Sequence, residues 1–235
     1  METEKFFALL HQDHRFCYPL SEAKADRLLD LLAPEDDAHV LDVASGNGEL
    51  LLRLMEQYSI QAVALEEDPD LLNEIWNRAA ERAPMSELIL PEISPQDYDG
   101  ADAPFAVILC PAALRAYGSL EQALKNLVPL LETPGYLLIG APYRKTAAAP
   151  LPDHAGNVAL GEAAGLTPLY ILTANDDERD EYEALLWLTA ERQTSEQPDD
   201  PEIHELRTAV RNRRTRYLQH DRDAQGYGFY LFQNG

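Results

Sequence analysis

The spacing of hydrophobic positions changes period several times along the chain, and each change marks an element. Residues 38–43 (AHVLDV) form a short apolar run, the pattern of a strand buried on both faces. The small and polar residues Ala44-Ser45-Gly46-Asn47-Gly48 follow, and residues 49–58 (ELLLRLMEQY) then resume helical spacing. This strand, glycine turn and helix is succeeded by a strand over 61–65, a helix over 70–82 and a strand over 87–90. Residues 105–110 (FAVILC) predict another buried strand, 120–131 a helix, and 136–141, beyond the turn Thr133-Pro134-Gly135, a further strand. Short apolar strands alternating with helices predict an α/β fold in which helices cover both faces of a mostly parallel sheet.

The two flanks read differently. The first 32 residues look helical, with Ser21 as a candidate N-cap before Leu28, Leu29, Leu31 and Leu32, and Pro34 stops the pattern. Beyond the core, residues 146–156 are rich in Ala and Pro and predict a loop or lid. A short helix over 159–164, a strand over 169–173 and a helix over 176–193 with an acidic first turn come next. After the polar break 194–201, a helix over 202–220 leads to a terminal strand over 227–232. The break is too short for a domain boundary, so one domain is expected over 1–235: a helical cap (1–33), a core (34–145), and inserts with C-terminal strands (146–235).

Composition narrows the function classes. There are 41 acidic and 19 basic residues, a formal net charge of -22, while 46% hydrophobic residues suffice for a sizeable core. Such a charge opposes association with nucleic-acid phosphates or anionic membranes. The apolar runs fall far short of the roughly 20 residues of a membrane span, and the N-terminus has neither a basic region nor a cleavage pattern, so a cytoplasmic protein is expected. Cys17 and Cys110 have no spacing that suggests a disulfide framework or zinc. His11 and His14 are helical neighbours without a third ligand, so no metal is expected. Arg207, Arg211, Arg213, Arg214 and Arg216 reverse the charge locally. Such a helix could be a solvated face paired with acidic neighbours, could bind an anion, or could dock across a homodimer.

The glycine turn carries the candidate chemistry. Gly46 and Gly48 allow the backbone to approach a ligand closely, and Glu66, ending the second strand, is placed to accept both hydroxyl protons of a ribose. A dinucleotide fingerprint would need a third glycine where Leu51 stands. Asp42, just before the turn, would meet a pyrophosphate with like charge but suits the amine of a cationic amino-acid moiety.

Through Val40-Leu41-Asp42-Val43-Ala44-Ser45-Gly46-Asn47-Gly48 and the acidic end of strand two, the chain resembles the class I S-adenosylmethionine-dependent methyltransferases. It looks like a bacterial small-molecule group among the type 11 methyltransferases. Further matches are His14-Arg15 with Tyr18-Pro19, Pro134-Gly135 with Pro142-Tyr143, and Tyr182-Glu183-Ala184 with Trp187-Leu188-Thr189. The resemblance implies a Rossmann-like seven-stranded sheet with its last strand antiparallel and S-adenosylmethionine as cofactor. Asp42, Ala44, Gly46 and Gly48 would line the methionine end, Glu66 the ribose, and Cys110 with Pro111 the rim after strand four. Glu92 would hold the adenine amine, with Asp97 as its competitor. Glu67 stands where an apolar residue often packs on adenine, and it could point to solvent, leaving Asp68 near the ring. Ala44 replaces the usual first glycine.

On the acceptor side, His14 is the candidate base and Tyr143 a positioning residue, with Arg15, Tyr18, Tyr182 and Trp187 as candidate walls. Ordinary packing competes for Tyr143, Tyr182 and Trp187. The implied activity is in-line transfer of a methyl group to a small-molecule acceptor. The alternative is a non-catalytic cofactor-binding protein of the same fold, with a regulatory or assembly role.

Overall fold

The computed structural model describes residues 6–235. The first five positions of the expected cap, Glu2 and Glu4 among them, lie outside the described residues. In chain order the elements are α1 (Phe7–His11), α2 (Glu22–Leu32), β1 (Ala38–Val43), α3 (Glu49–Gln57), β2 (Ile60–Leu65), α4 (Pro69–Arg82), β3 (Glu87–Ile89) and β4 (Phe105–Cys110). They continue with α5 (Ala113–Tyr117), α6 (Leu120–Leu127), β5 (Leu131–Arg144), α7 (His154–Ala163), β6 (Leu166–Thr173), α8 (Asp176–Glu196), α9 (Pro201–Arg216), α10 (Arg222–Ala224) and β7 (Gln225–Asn234).

The seven strands form one sheet in the order β3-β2-β1-β4-β5-β7-β6. β7 runs antiparallel to β5 and β6, and the remaining pairings are parallel. This is the expected α/β architecture. Alternation along the strands divides the interior: Val40, Phe229 and Leu231 pack with α2 and α3, while Leu41, Val43, Tyr230 and Phe232 join the opposite core with α5 and α6. A third, smaller core joins Leu10 of α1 to Leu186 and Ala190 of α8 and to Ile203, Leu206 and Val210 of α9. The α8–α9 hairpin, inserted between β6 and β7, thereby carries the N-terminal segment toward the sheet.

Several boundaries differ from the expectation. The first 32 residues are not one helix, because residues 12–21 are non-helical and run between α1 and α2. Ser21 stands at the N-cap of α2, where its carbonyl, not its side chain, accepts from Lys24 and Ala25. Thr133-Pro134-Gly135 does not end an element. It is absorbed into β5, where Leu131 pairs with Phe105 but Tyr136 with Val107, so the three residues lie in a bulge. The expected 146–156 loop is shorter, because the Asp153 carboxylate accepts from the Gly156 amide and starts α7 at His154. The last helix passes at Tyr217–Asp221 into a π-helical turn that residue spacing did not reveal.

Candidate functional site

β1 lies between β2 and β4, whose connections leave it in opposite directions, so a crevice opens at the C-terminal ends of β1 and β4. The glycine turn sits there. Ala44, Gly46 and Gly48 have φ of 53°, 59° and 68°. That conformation costs a glycine little and an alanine about 1 kcal/mol. A Cβ on Gly46 would stand 2.9 Å from Cys17 Sγ, and one on Gly48 2.8 Å from Ile75 Cγ1, so both positions also lack room. Asn47, which no motif had singled out, donates from Nδ2 to the carbonyls of His14 (3.0 Å) and Arg15 (3.1 Å), tying the N-terminal segment over the turn.

Asp42, at the end of β1, is 2% exposed, and its Oδ1 is buried without a hydrogen-bond partner. Burial pushes its carboxyl up to about 7, and the nearby Glu66 charge adds to the shift while Ser45 opposes it. Glu66 is equally buried but partnered: the amides of Gly46 (2.9 Å), Glu67 (3.0 Å) and Asp68 (3.3 Å) all point at its carboxylate. Arg115 Nη1 lies 3.6 Å from the same group, and its guanidinium covers the Phe7 ring at 3.7 Å. The orphaned Asp42 oxygen and the glycine cradle fit a ligand with a cationic amine and a ribose. Ala44, Glu66, Glu67, Ser94, Gln96 and Arg115 wall the small cleft beyond them.

The sequence candidates for the adenine end lie elsewhere. Glu92 forms a parallel bridge with Glu66 through the backbone, but it and Asp97 are exposed and do not line this cleft, whereas Ser94 and Gln96 do. Sequence spacing alone could not separate these four neighbours. Glu67 is exposed at the cleft rim, and Asp68 caps α4 by accepting from the Asp70 and Leu71 amides. Cys110 and Pro111 are buried behind the site, and the Pro111 carbonyl accepts from the Tyr227 hydroxyl at 2.7 Å.

A larger cavity of 320 Å³, within the range of small-molecule sites, extends from Arg115 between α1, residues 17–19, α8, α9 and the start of β7. Tyr18, Tyr182, Tyr217 and Tyr227 wall it together with Arg179 and Arg213. Tyr182 meets His11 there: His11 Nδ1 donates to the Phe7 carbonyl (2.8 Å), so Nε2 accepts from the Tyr182 hydroxyl (2.8 Å). Burial lowers His11 to about 3 and keeps the ring neutral. His11 was set aside in the sequence as a metal candidate. Among the described residues no group of three or more His, Cys, Asp or Glu side chains could hold a metal ion.

Other candidates from the sequence stand around this cavity without lining it. His14 faces the adjoining cleft with Arg15, donates from Nε2 to the Tyr182 carbonyl (2.9 Å) and keeps Nδ1 buried without a partner. Arg15 pairs with Glu49 (3.0 Å) on the outer side of α3. Tyr143 turns away, its ring tilted against His154 at 3.7 Å between centroids and filling the space above Gly226. Trp187 packs beside the third core and edge-on to Tyr217. The basic C-terminal helix docks in cis on α8, with Arg207 and Arg211 paired to Glu191, and Arg213 bidentate to Glu183.

Residues 40–135 match the family model described as Methyltransferase domain. Over 249 residues the chain is 26% identical to the protein YjhP of Escherichia coli K12, with 98% of each covered. The crystal structure of YjhP superposes with a TM-score of 0.89 at 23% identity, covering 98% of this chain and 100% of that one. A SAM-dependent methyltransferase from Geobacter sulfurreducens, solved with S-adenosyl-L-homocysteine, superposes at 0.88 with 23% identity and 98% of both chains covered. A counterpart from Thiobacillus denitrificans, also with S-adenosyl-L-homocysteine, gives 0.87, 23% and full coverage of both chains. Residues 40–135 therefore match a methyltransferase domain, and the chain has the fold of the class I methyltransferases that its glycine turn resembles.

Proposed function

We propose that the protein methylates a small-molecule acceptor bound in the 320 Å³ cavity, using S-adenosylmethionine held at the glycine turn. The observation that carries this reading is Asp42: a buried carboxylate with an unpartnered oxygen beside a turn that only glycines fit comfortably. S-adenosylmethionine, when bound, supplies an electrophilic methyl group on a sulfonium. Asp42 would accept from its amine and Glu66 from its ribose hydroxyls, and the Ser94–Gln96 segment would flank the base. The relatives solved with S-adenosyl-L-homocysteine support the same cofactor. Arg115 walls both the cleft and the cavity, so cofactor and acceptor would meet beside it.

Methyl transfer asks the protein mainly to align the acceptor and exclude water. Tyr182, oriented by His11 and backed by His14 through its carbonyl, is the hydroxyl placed to position an acceptor. Tyr143 would act at most through the packing of Gly226. Calorimetric titration with S-adenosylhomocysteine should show binding to the parent and large losses in Asp42→Ala and Glu66→Ala; unchanged affinity in both overturns the site assignment. Incubation with methyl-labelled cofactor and a metabolite pool should then put label into a small molecule. Cofactor binding without labelled product across diverse pools would favour the non-catalytic alternative.

A further inference from the structure

The acceptor cavity reverses the sign of the molecule around it. The chain has a formal net charge of -22, yet four arginines, Arg115, Arg179, Arg213 and Arg216, line this one space against two carboxylates, Glu183 and Asp221. Both carboxylates are already engaged: Glu183 takes a bidentate bond from Arg213, and Asp221 accepts from Arg216 Nε at 2.9 Å. Those two pairs leave Arg115, which is drawn to Glu66 at 3.6 Å, and Arg179, which presents positive charge to the cavity most directly. Its side chain is 8% exposed; among the described residues its ion-pair partner is Asp176, 3.4 Å away and also bonded by Lys145, with Asp180 farther off.

Three of the N–H groups of Arg179 have partners: Nη1 donates to Asp176 and to the Arg222 carbonyl (3.0 Å), and Nη2 to the Asp221 carbonyl (3.1 Å). A guanidinium has five N–H groups, so two remain for a ligand. The π-helical turn adds an independent observation. It closes α9 where Tyr217 and Asp221 face the cavity, and such turns are frequent at functional sites. It also supplies the Asp221 carbonyl that holds the Arg179 fork in place.

Resting on the methyltransferase reading, we propose that the acceptor is an organic carboxylate with a planar or apolar body, its acid group received by Arg179 and Arg216 and its body by the tyrosine walls. Arg216, although paired with Asp221, adds longer-range attraction from a side chain that is 69% exposed, and Arg179 contributes directed hydrogen bonds in a drier setting. Tyr18, Tyr217 and Tyr227 supply flat surface for the body.

The test uses benzoate, cinnamate and 4-hydroxybenzoate, each beside its neutral primary amide, titrated into the full-length protein with and without S-adenosylhomocysteine. Each carboxylate should bind at least about tenfold more tightly than its amide, weakening as salt rises. Arg179→Gln should remove most of that preference and leave the amide unchanged. Because Arg179 also holds the 221–222 backbone, the comparison within each pair on the parent protein stands without the variant. Equal affinity within pairs, preference for the amides, or no carboxylate binding up to about 10 mM overturns the proposal. S-adenosylhomocysteine binding in the same samples is read separately: its absence beside a retained carboxylate preference would fault the cofactor reading and not the anion site.

Discussion

Asp42→Asn should strengthen the fold while weakening cofactor affinity. The carboxyl is 2% exposed with an orphaned Oδ1, and burial, reinforced by Glu66, raises it from 3.8 to about 7. A higher value in the folded chain means that folding favours the protonated form. The stability from this group is therefore complete below pH 3.8 and is lost as pH rises through about 7. That difference corresponds to roughly 4 kcal/mol once the group is fully ionised. Asparagine preserves the shape without the charge, so the ligand-free variant should exceed its parent by up to this amount at pH about 8 and match it near pH 4. Paired urea unfolding across that range reads the difference directly, because the other acidic groups cancel between the two proteins. Cofactor affinity moves the other way. Binding of S-adenosylhomocysteine to the parent should weaken by up to about tenfold per pH unit below 7, because the amine needs an ionised partner, whereas the variant should bind weakly with no such slope. A variant no more stable than its parent at alkaline pH, together with pH-independent binding by the parent, would refute the uncompensated carboxylate.

Other outcomes follow from single contacts. Glu49, with its side chain fully buried, collects Arg15, Arg53, Arg78 and Arg82, so Glu49→Gln should cost about 3–5 kcal/mol in chemical denaturation; a loss below about 1 kcal/mol would mean that the arginines do not depend on it. Gly46→Ala, strained by φ of 59° and crowded by Cys17, should lower the melting temperature and weaken S-adenosylhomocysteine binding, while Ala44→Gly, relieving φ of 53°, should leave stability unchanged or raise it by up to about 1 kcal/mol. His11, lowered to about 3, should show no imidazole titration between pH 5 and 8 by NMR. Its depressed value makes the fold lose stability as pH falls from 6.5 toward 3, a loss that His11→Gln should reduce. A normal titration near 6.5 contradicts the burial of the ring.

What sequence determines and what it leaves to the tertiary structure divides by range. The β1–turn–α3 unit was legible because local rules specify it: an apolar run, glycines at positive φ and resumed helical spacing all lie within twenty residues. The sheet followed from the same alternation, and Asp42 and Glu66 stand at one crevice because strand ends in such sheets converge there. The cavity proposed for the acceptor was not legible in this way. His11 belongs to it and His14 to the neighbouring cleft, although one helical turn of sequence separates them, because the chain leaves α1 immediately after His11. Tyr143, expected just after its strand, lies within β5 opposite Gly226, and its ring is drawn to His154. The arginines of α9 read as a solvated basic face, and several do pair with α8. Whether Arg213 and Arg216 also face a ligand depended on how the hairpin packs on α1 and on a π-helical turn with no sequence mark. Periodicity and turn chemistry thus determined the sheet and the glycine turn, whereas the long-range packing of α1, α8 and α9 alone decided which side chains share the neighbouring cavity.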